Sequence, residues 1–260
     1  MDSIITAGGT SKPEDPLFQL TGIEKKALIP LAGRPMIAWV VDAVWKSGLV
    51  ENIAIVGLEP GEVDFGDASV CYTAAVGDIV SNVLAGLDRL HEVNPSVHKI
   101  LLASSDVPLI TPEIVRGFVD ECGSQEADGY YAIVEEKIME ARFPNSKRTF
   151  IPFKGGRYSG GDVLLVDVAA VKANQQLIRD LTGSRKDYWG QVRMLGLGFI
   201  FRFVFRMMTV QEAAARAAVK ANLNARVVDT KYAELGMDLD KPAQYELITS
   251  ILEQHGEQET

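Results

Sequence analysis

The feature that most restricts the fold is a rhythm in the first half of the chain. Short runs of Ile, Val and Leu at residues 3–6, 52–57, 69–73 and 99–103 alternate with amphipathic stretches. Runs that are apolar throughout, rather than at every second position, belong to strands covered on both faces, as in parallel sheets. Residues 36–46, 78–90 and 111–122 instead place apolar side chains three and four apart, the spacing of a helix with one buried face. Thr111-Pro112-Glu113 supplies an N-cap followed by proline at the first helical position. Strand and helix in alternation predict an α/β architecture around a parallel sheet.

Beyond residue 127 the rhythm loosens. Strand signals at residues 130–134, 149–153 and 163–166 are separated by loops, which predicts a mixed sheet with a less regular second half. The last third reads as mainly helical, over residues 168–181, 188–208 and a segment opened by Thr209-Val210-Gln211-Glu212, whose end residues fit a capping box. No repeat or Pro/Gly/Ser linker divides the chain, and 47% hydrophobic composition over 260 residues suffices for one large core. Residues 1–253 are therefore expected to form one domain, with 254–260 as a frayed tail.

Open parallel sheets bind ligands where strands end at their carboxyl side. The first strand runs into Ala7-Gly8-Gly9-Thr10, where small residues let backbone N–H groups approach a phosphate; a plain turn is the alternative. The following loop returns at Lys25-Lys26, and Lys26 is the candidate to neutralise charge on a triphosphate, although solvated loop lysines fit equally. The fourth strand ends in Ser104-Ser105-Asp106, and a carboxylate after so apolar a strand needs a partner or a metal. Since Thr111 already serves as the cap, Asp106 is the leading metal ligand. Asp238 and Asp240 precede a helix beginning at Lys241-Pro242; one is expected to cap it and the other to reach the metal, and Asp240, directly before the helix, fits the cap as well as it fits the metal. Oxygen donors alone favour Mg2+ over zinc. Neither G-x-G-x-x-G nor a P-loop motif occurs.

Ala7-Gly8-Gly9, Lys26-Ala27-Leu28, Ala32-Gly33-Arg34-Pro35-Met36, Ser81-Asn82-Val83 with Gly86-Leu87, Ser105-Asp106-Val107-Pro108 and Asp238-Leu239-Asp240-Lys241-Pro242 stand in one order. In this order and spacing they resemble the MobA-like nucleotidyltransferases. The resemblance implies a single-domain, Rossmann-like three-layer α/β fold of the nucleotide-diphospho-sugar transferase type, with a mostly parallel mixed sheet and a helical C-terminal part. It implies that Ala7, Gly8, Gly9 and Thr10 line the nucleotide, that Lys26 meets its phosphates, that Ser81 lies near base and ribose, and that Asp106 and Asp240 hold magnesium. Relatives carry an arginine in a short loop after the glycines; here the loop is longer and acidic, and Lys12 is the substitute. Residues 147–150 and 158–162 look like the acceptor side of a subgroup, with Arg148, Gly161 and Asp162 as contacts and Asp162 where that subgroup often has Asn.

The implied reaction passes the nucleoside monophosphate of an NTP to a small phosphorylated acceptor and releases pyrophosphate. It needs positioning and charge neutralisation but no protein nucleophile. A nucleotide-sugar-dependent glycosyltransferase would usually carry an acid at position 104, where this chain has Ser104, and an inactive nucleotide-binding module would lack Lys26 or an acid. A net charge of -9 with scattered Lys and Arg argues against a nucleic-acid partner. Cys71 and Cys122, far apart, suit a reducing compartment, and the N-terminal residues show no export signal, so a cytoplasmic location is expected. The apolar stretch at residues 194–208 is interrupted by Arg202 and Arg206 and too short to span a bilayer. Its segment between Phe199 and Phe205 is expected in the core, at a homodimer interface or on a peripheral apolar surface.

Overall fold

A computed structural model describes residues 1–123, 126–175, 207–220 and 223–256. Strand β1 (Asp2–Thr6) is followed by the short helix α1 (Pro16–Thr21), a 3-10 turn at Lys26–Leu28, the hairpin β2 (Pro30–Leu31) and β3 (Arg34–Pro35), and helix α2 (Met36–Lys46). Then come β4 (Ile53–Val56), β5 (Val70–Thr73), α3 (Ile79–Val93), β6 (Lys99–Ser104) and α4 (Pro112–Cys122). The second half holds β7 (Gly129–Glu135), α5 (Glu136–Arg142), β8 (Ile151–Phe153), β9 (Gly156–Asp167) and α6 (Val168–Ala173). The described residues end with α7 (Val210–Lys220), β10 (Ala225–Asp229), a second 3-10 turn at Ala233–Gly236 and α8 (Pro242–Gly256).

The main sheet has the order β10-β7-β9-β6-β1-β4-β5, with β8 paired on β9. β1 pairs in parallel with both β4 and β6, β4 with β5, and β7 with β10. β9 runs antiparallel to β6, β7 and β8. The chain thus leaves β1 toward β4 and β5 and later crosses to β6 on the opposite side. That reversal opens a crevice at the carboxyl ends of β1 and β6.

Both faces of this sheet are covered. Successive side chains of a strand point to opposite faces: Ile5 packs with Val40, Val41, Val44, Val115 and Phe118 of α2 and α4. Its neighbour Ile4 packs with Val83, Leu87 and Leu90 of α3 and Val168 of α6. This sandwich explains why successive apolar residues such as Ile4 and Ile5 occur in the early strands instead of apolar and polar residues in alternation. A third apolar cluster, with Leu17, Ile29, Leu31, Met139, Phe143, Met237, Leu239 and Ile248, fastens α1, α5 and α8 beside the crevice. The helix caps follow the sequence: Thr111 Oγ1 accepts from the Ile114 amide at 3.3 Å. The Thr209–Glu212 pair forms both capping-box bonds, at 2.9 and 3.1 Å.

The second half departs from expectation in three places. α5 occupies a stretch read as loop, β9 begins at Gly156 rather than at Val163, and the largely helical C-terminal third contains the edge strand β10. Cys71 and Cys122 are free buried thiols, and burial pushes Cys122 up to about 12. Among the described residues no helix is long and apolar enough to cross a membrane. The expected helix at 188–208, with Phe199 to Phe205, lies almost wholly outside the described residues, as do most of residues 174–181.

Candidate nucleotide and acceptor site

β1 delivers Ala7, Gly8 and Gly9 to the crevice. Ala7 is buried, and its amide donates to the Val56 carbonyl at 2.7 Å, prolonging the β1–β4 ladder by one residue. Gly8 and Gly9 then emerge exposed. The loop 74–78 closes over Gly8 so tightly that a Cβ there would stand 2.7 Å from that of Ala75, which requires glycine. Asn82 holds this loop: its Oδ1 accepts from the Val76 amide at 2.8 Å, and its Nδ2 lies 3.8 Å from the position of a Gly8 Cβ. Ser81 is occupied in capping, donating to Asp78 Oδ2 at 2.6 Å while its amide donates to Asp78 Oδ1.

The long loop after Gly9 folds back on itself. Thr10 bridges Lys25, the Ser11 amide donates to Glu24, and the Lys26 amide donates to the Gly9 carbonyl at 3.0 Å. The Lys26 side chain therefore lies along Gly9, its Cδ 3.8 Å from where a Cβ of Gly9 would be. Its ammonium reaches Asp240 Oδ1 at 3.1 Å. Lys12 is exposed further along this loop, where its amide donates to Asp15 at 2.7 Å.

On the other wall of the crevice, the Ser105 amide donates to the Thr6 carbonyl and continues the β1–β6 pairing up to Asp106. The Leu239 amide donates to the Asp106 carbonyl at 2.9 Å, which ties the Asp238–Asp240 turn to the strand end across 133 residues of sequence, 239 minus 106. Asp106 Oδ1 is buried and has no hydrogen-bond partner among the described residues. Burial, partly offset by a hydrogen bond from Ser104 and reinforced by Asp238 and Asp240, pushes Asp106 up to about 6. The expected aspartate cap of α8 is replaced by Gln244, whose Oε1 accepts from the Asp240 and Lys241 amides at 3.0 and 2.9 Å.

β9 and the loop before it complete the site. Arg148 is only 13% exposed at its side chain. It forms an ion pair with Asp238 and donates to Ser159 Oγ and the Gly160 carbonyl, both at 3.2 Å, while Asp162 Oδ2 lies 3.9 Å away. Burial, together with Asp106 and Asp238, pushes Asp162 up to about 8, against the lowering pull of Arg148. Asp238 is raised as well, by burial first, with Arg148 opposing. Gly161 is buried against Ala132 and the Leu235 carbonyl, 2.9 and 3.1 Å from a built Cβ.

Lys26, Asp106, Asp240 and the glycines thus converge, with Arg148 and Asp162 at the β9 side, while the Ser81 hydroxyl is bonded to Asp78. The partnership of Asp238 with Arg148 and the bracing role of Asn82 went unanticipated, although Asn82 stands in the Ser81-Asn82-Val83 element in the first turn of α3. Among the described residues no group of three or more His, Cys, Asp or Glu side chains is gathered closely enough to hold a metal by itself. Two carboxylates with a substrate triphosphate and waters is the usual arrangement for Mg2+, and the unpartnered Asp106 oxygen fits that donor set.

A nucleotide-binding α/β fold with an oxygen-rich crevice at the β1–β6 switch defines a nucleotide-handling protein. The MobA-like NTP transferase domain family matches residues 3–187, and the chain belongs to that family, a class of nucleotidyltransferases. A hypothetical transferase of known structure from Thermus thermophilus is 30% identical, with a TM-score of 0.79 over 94% of this chain and 99% of that one. The 3-deoxy-manno-octulosonate cytidylyltransferase of Synechococcus elongatus is 30% identical over 183 residues, 65% of this chain and 71% of that protein. A structure of CMP:2-keto-3-deoxy-manno-octonic acid synthetase complexed with CTP shares the fold at TM-score 0.60 and 15% identity, over 98% of both chains. The bifunctional protein GlmU of Geobacter metallireducens is 31% identical over 110 residues, so that this chain spans only 22% of its length.

Proposed function

We propose that this protein transfers a nucleoside monophosphate from an NTP to a small phosphorylated acceptor, with Mg2+ and with release of pyrophosphate. The observation that carries the reading is the meeting, at one strand-end crevice, of the Gly8–Gly9 backbone, Lys26 and the two carboxylates Asp106 and Asp240. Gly8 and Gly9 leave room for a triphosphate beside exposed amides. Lys26, already laid over Gly9, meets the charge that grows on the leaving pyrophosphate. Asp106 and Asp240 would hold the metal, which supplies charge neutralisation and orientation at the phosphates. Asp162 and Arg148 flank the side from which an acceptor attacks in line. Oxygen attack on the α-phosphorus and departure of pyrophosphate balance without a protein nucleophile.

A second acceptor class is favoured by one specific observation. Arg148 is engaged by Asp238, Ser159 and Gly160, so the guanidinium expected to greet an acceptor phosphate is spent inside the protein. A hydroxyl-bearing sugar acid, the acceptor class named for the cytidylyltransferase relatives, fits such a wall better. Both are tested by measuring pyrophosphate release from each of the four NTPs with a panel of phosphorylated and sugar-acid acceptors, with and without Mg2+. Release dependent on an acceptor and on Mg2+ supports the reading, and the productive acceptor selects between the classes. The absence of pyrophosphate with every pair would leave a nucleotide-binding module or a sugar-transferring enzyme. No membrane or nucleic-acid partner enters this reading, and the reaction suits the cytoplasm, where NTPs are supplied.

A further inference from the structure

We infer that Arg148 is a positioning residue that withdraws Asp238 from the metal and so leaves Asp240, with Asp106, as the protein's carboxylate ligands. The inference rests on the metal-dependent reading above. It adds to that reading the reason that Asp238, in the same motif as Asp240, is withheld from the metal.

Two residues apart on an extended turn, Asp238 and Asp240 point differently. Asp238 is 12% exposed at its side chain and ion-paired to Arg148, whereas Asp240 is 52% exposed and touched by the ammonium of Lys26. A lysine tip can retreat from a carboxylate when a cation arrives; a guanidinium locked from three sides cannot. The lock is elaborate. Nη2 is anchored by Ser159 and the Gly160 carbonyl, which aims Nη1 at Asp238. The main chain just before Arg148 is held left-handed at two non-glycine residues, Asn145 at φ 60° and Lys147 at φ 59°. Such backbone persists only where its surroundings impose it. Here Ser146 is buried, donates to Glu140 Oε1 at 2.8 Å and accepts through its carbonyl from Gln244 at 3.4 Å. Lys241 donates to the Lys147 carbonyl at 2.7 Å. The strained loop and the α8 cap are therefore fastened together, and both serve to set Arg148 against Asp238.

Mn2+ binding to the nucleotide-free protein, followed by electron paramagnetic resonance, tests this without reference to turnover. Arg148→Met frees Asp238 and adds a ligand charge, so Mn2+ affinity should rise about tenfold. The double variant Arg148→Met/Asp238→Asn keeps the net charge of the wild type and should bind Mn2+ within about threefold of it, since neutral replacement of a buried pair is tolerated. A loss of about tenfold or more in the folded double variant would show Asp238 to be a ligand and overturn the inference. So would an unchanged or weakened affinity in folded Arg148→Met. If Arg148→Met does not fold, the double variant alone decides. A wild-type protein that binds no Mn2+ would instead sink the metal-dependent reading itself, and this assignment with it.

Discussion

Asp162→Asn should make the metal-free protein more stable, by an amount that depends on pH. Asp162 ordinarily titrates at 3.8 but is pushed up to about 8 by burial and by Asp106 and Asp238. Between those values the folded state holds a proton that the unfolded state has released. Stability of the wild type therefore falls as pH rises from about 4 to about 8 and then levels off. From 3.8 to pH 7 is about three pH units, a ceiling of about 4 kcal/mol at 1.36 kcal/mol per unit. The side chain is 33% exposed, so solvent screening reduces this to about 2 kcal/mol. For a chain of this size that corresponds to a rise in Tm of about 4–8 °C. The assay is differential scanning calorimetry of both proteins in a chelator, from pH 4 to pH 9. The gap should be near zero at pH 4 and largest at pH 8 and above. A gap that does not vary with pH, or a variant less stable than wild type at pH 8, would refute the reasoning. Asn is the residue that the resembling subgroup often carries at this position, so its volume is compatible with such a site.

Asp106→Ala should abolish Mg2+-dependent pyrophosphate release while circular dichroism stays unchanged, because the carboxylate lies at a strand end with no hydrogen-bonded structure depending on its free oxygen. Lys26→Ala should lower kcat more than it weakens NTP binding; a rise in KM alone would make Lys26 a uniform binding residue. Gly8→Ala forces a Cβ to within 2.7 Å of Ala75 and should cost about 1–3 kcal/mol in a urea titration or displace the 74–78 loop, seen as weaker NTP binding. Thr209→Ala removes half of the capping box at the start of α7 and should lower stability by about 1 kcal/mol without altering turnover.

How far the fold was readable depended on burial. β1, β4 and β6 are covered on both faces, so they announce themselves as apolar runs, and the helices between them have one clean buried face. β10 sits at the sheet edge and buries only Val228, so Ala225-Arg226-Val227-Val228-Asp229 carries too little contrast to separate it from a helical surrounding. The first half of β9 reads Gly156-Arg157-Tyr158-Ser159-Gly160-Gly161-Asp162, a composition that on its own favours a loop; it is strand because β7 and β8 pair with it. α5 is short and buries Met139 alone, which gives a helical period nothing to repeat. At the site, Gly8, Lys26 and Asp106 lie at strand ends or in the loop between them and could be inferred one by one. The Arg148–Asp238 pair joins residues 90 positions apart, 238 minus 148, and is visible only once the loop and the C-terminal turn are in place.

The reversed direction of β9 has a consequence for how such a protein can change its acceptor. Every parallel strand enters the crevice with its carboxyl end, so its identity as a strand is settled before the chain reaches the ligand. β9 arrives the other way, presenting its beginning. Its register against β6 is held by residues 163–167, below the site, while Ser159, Gly160 and Asp162 lie upstream of that anchor. Substitutions among residues 156–162 can therefore reshape the wall proposed for the acceptor while the register at residues 163–167 stays where it is, whereas residues 146–148 are tied to the Asp238–Gln244 turn and cannot change independently of it.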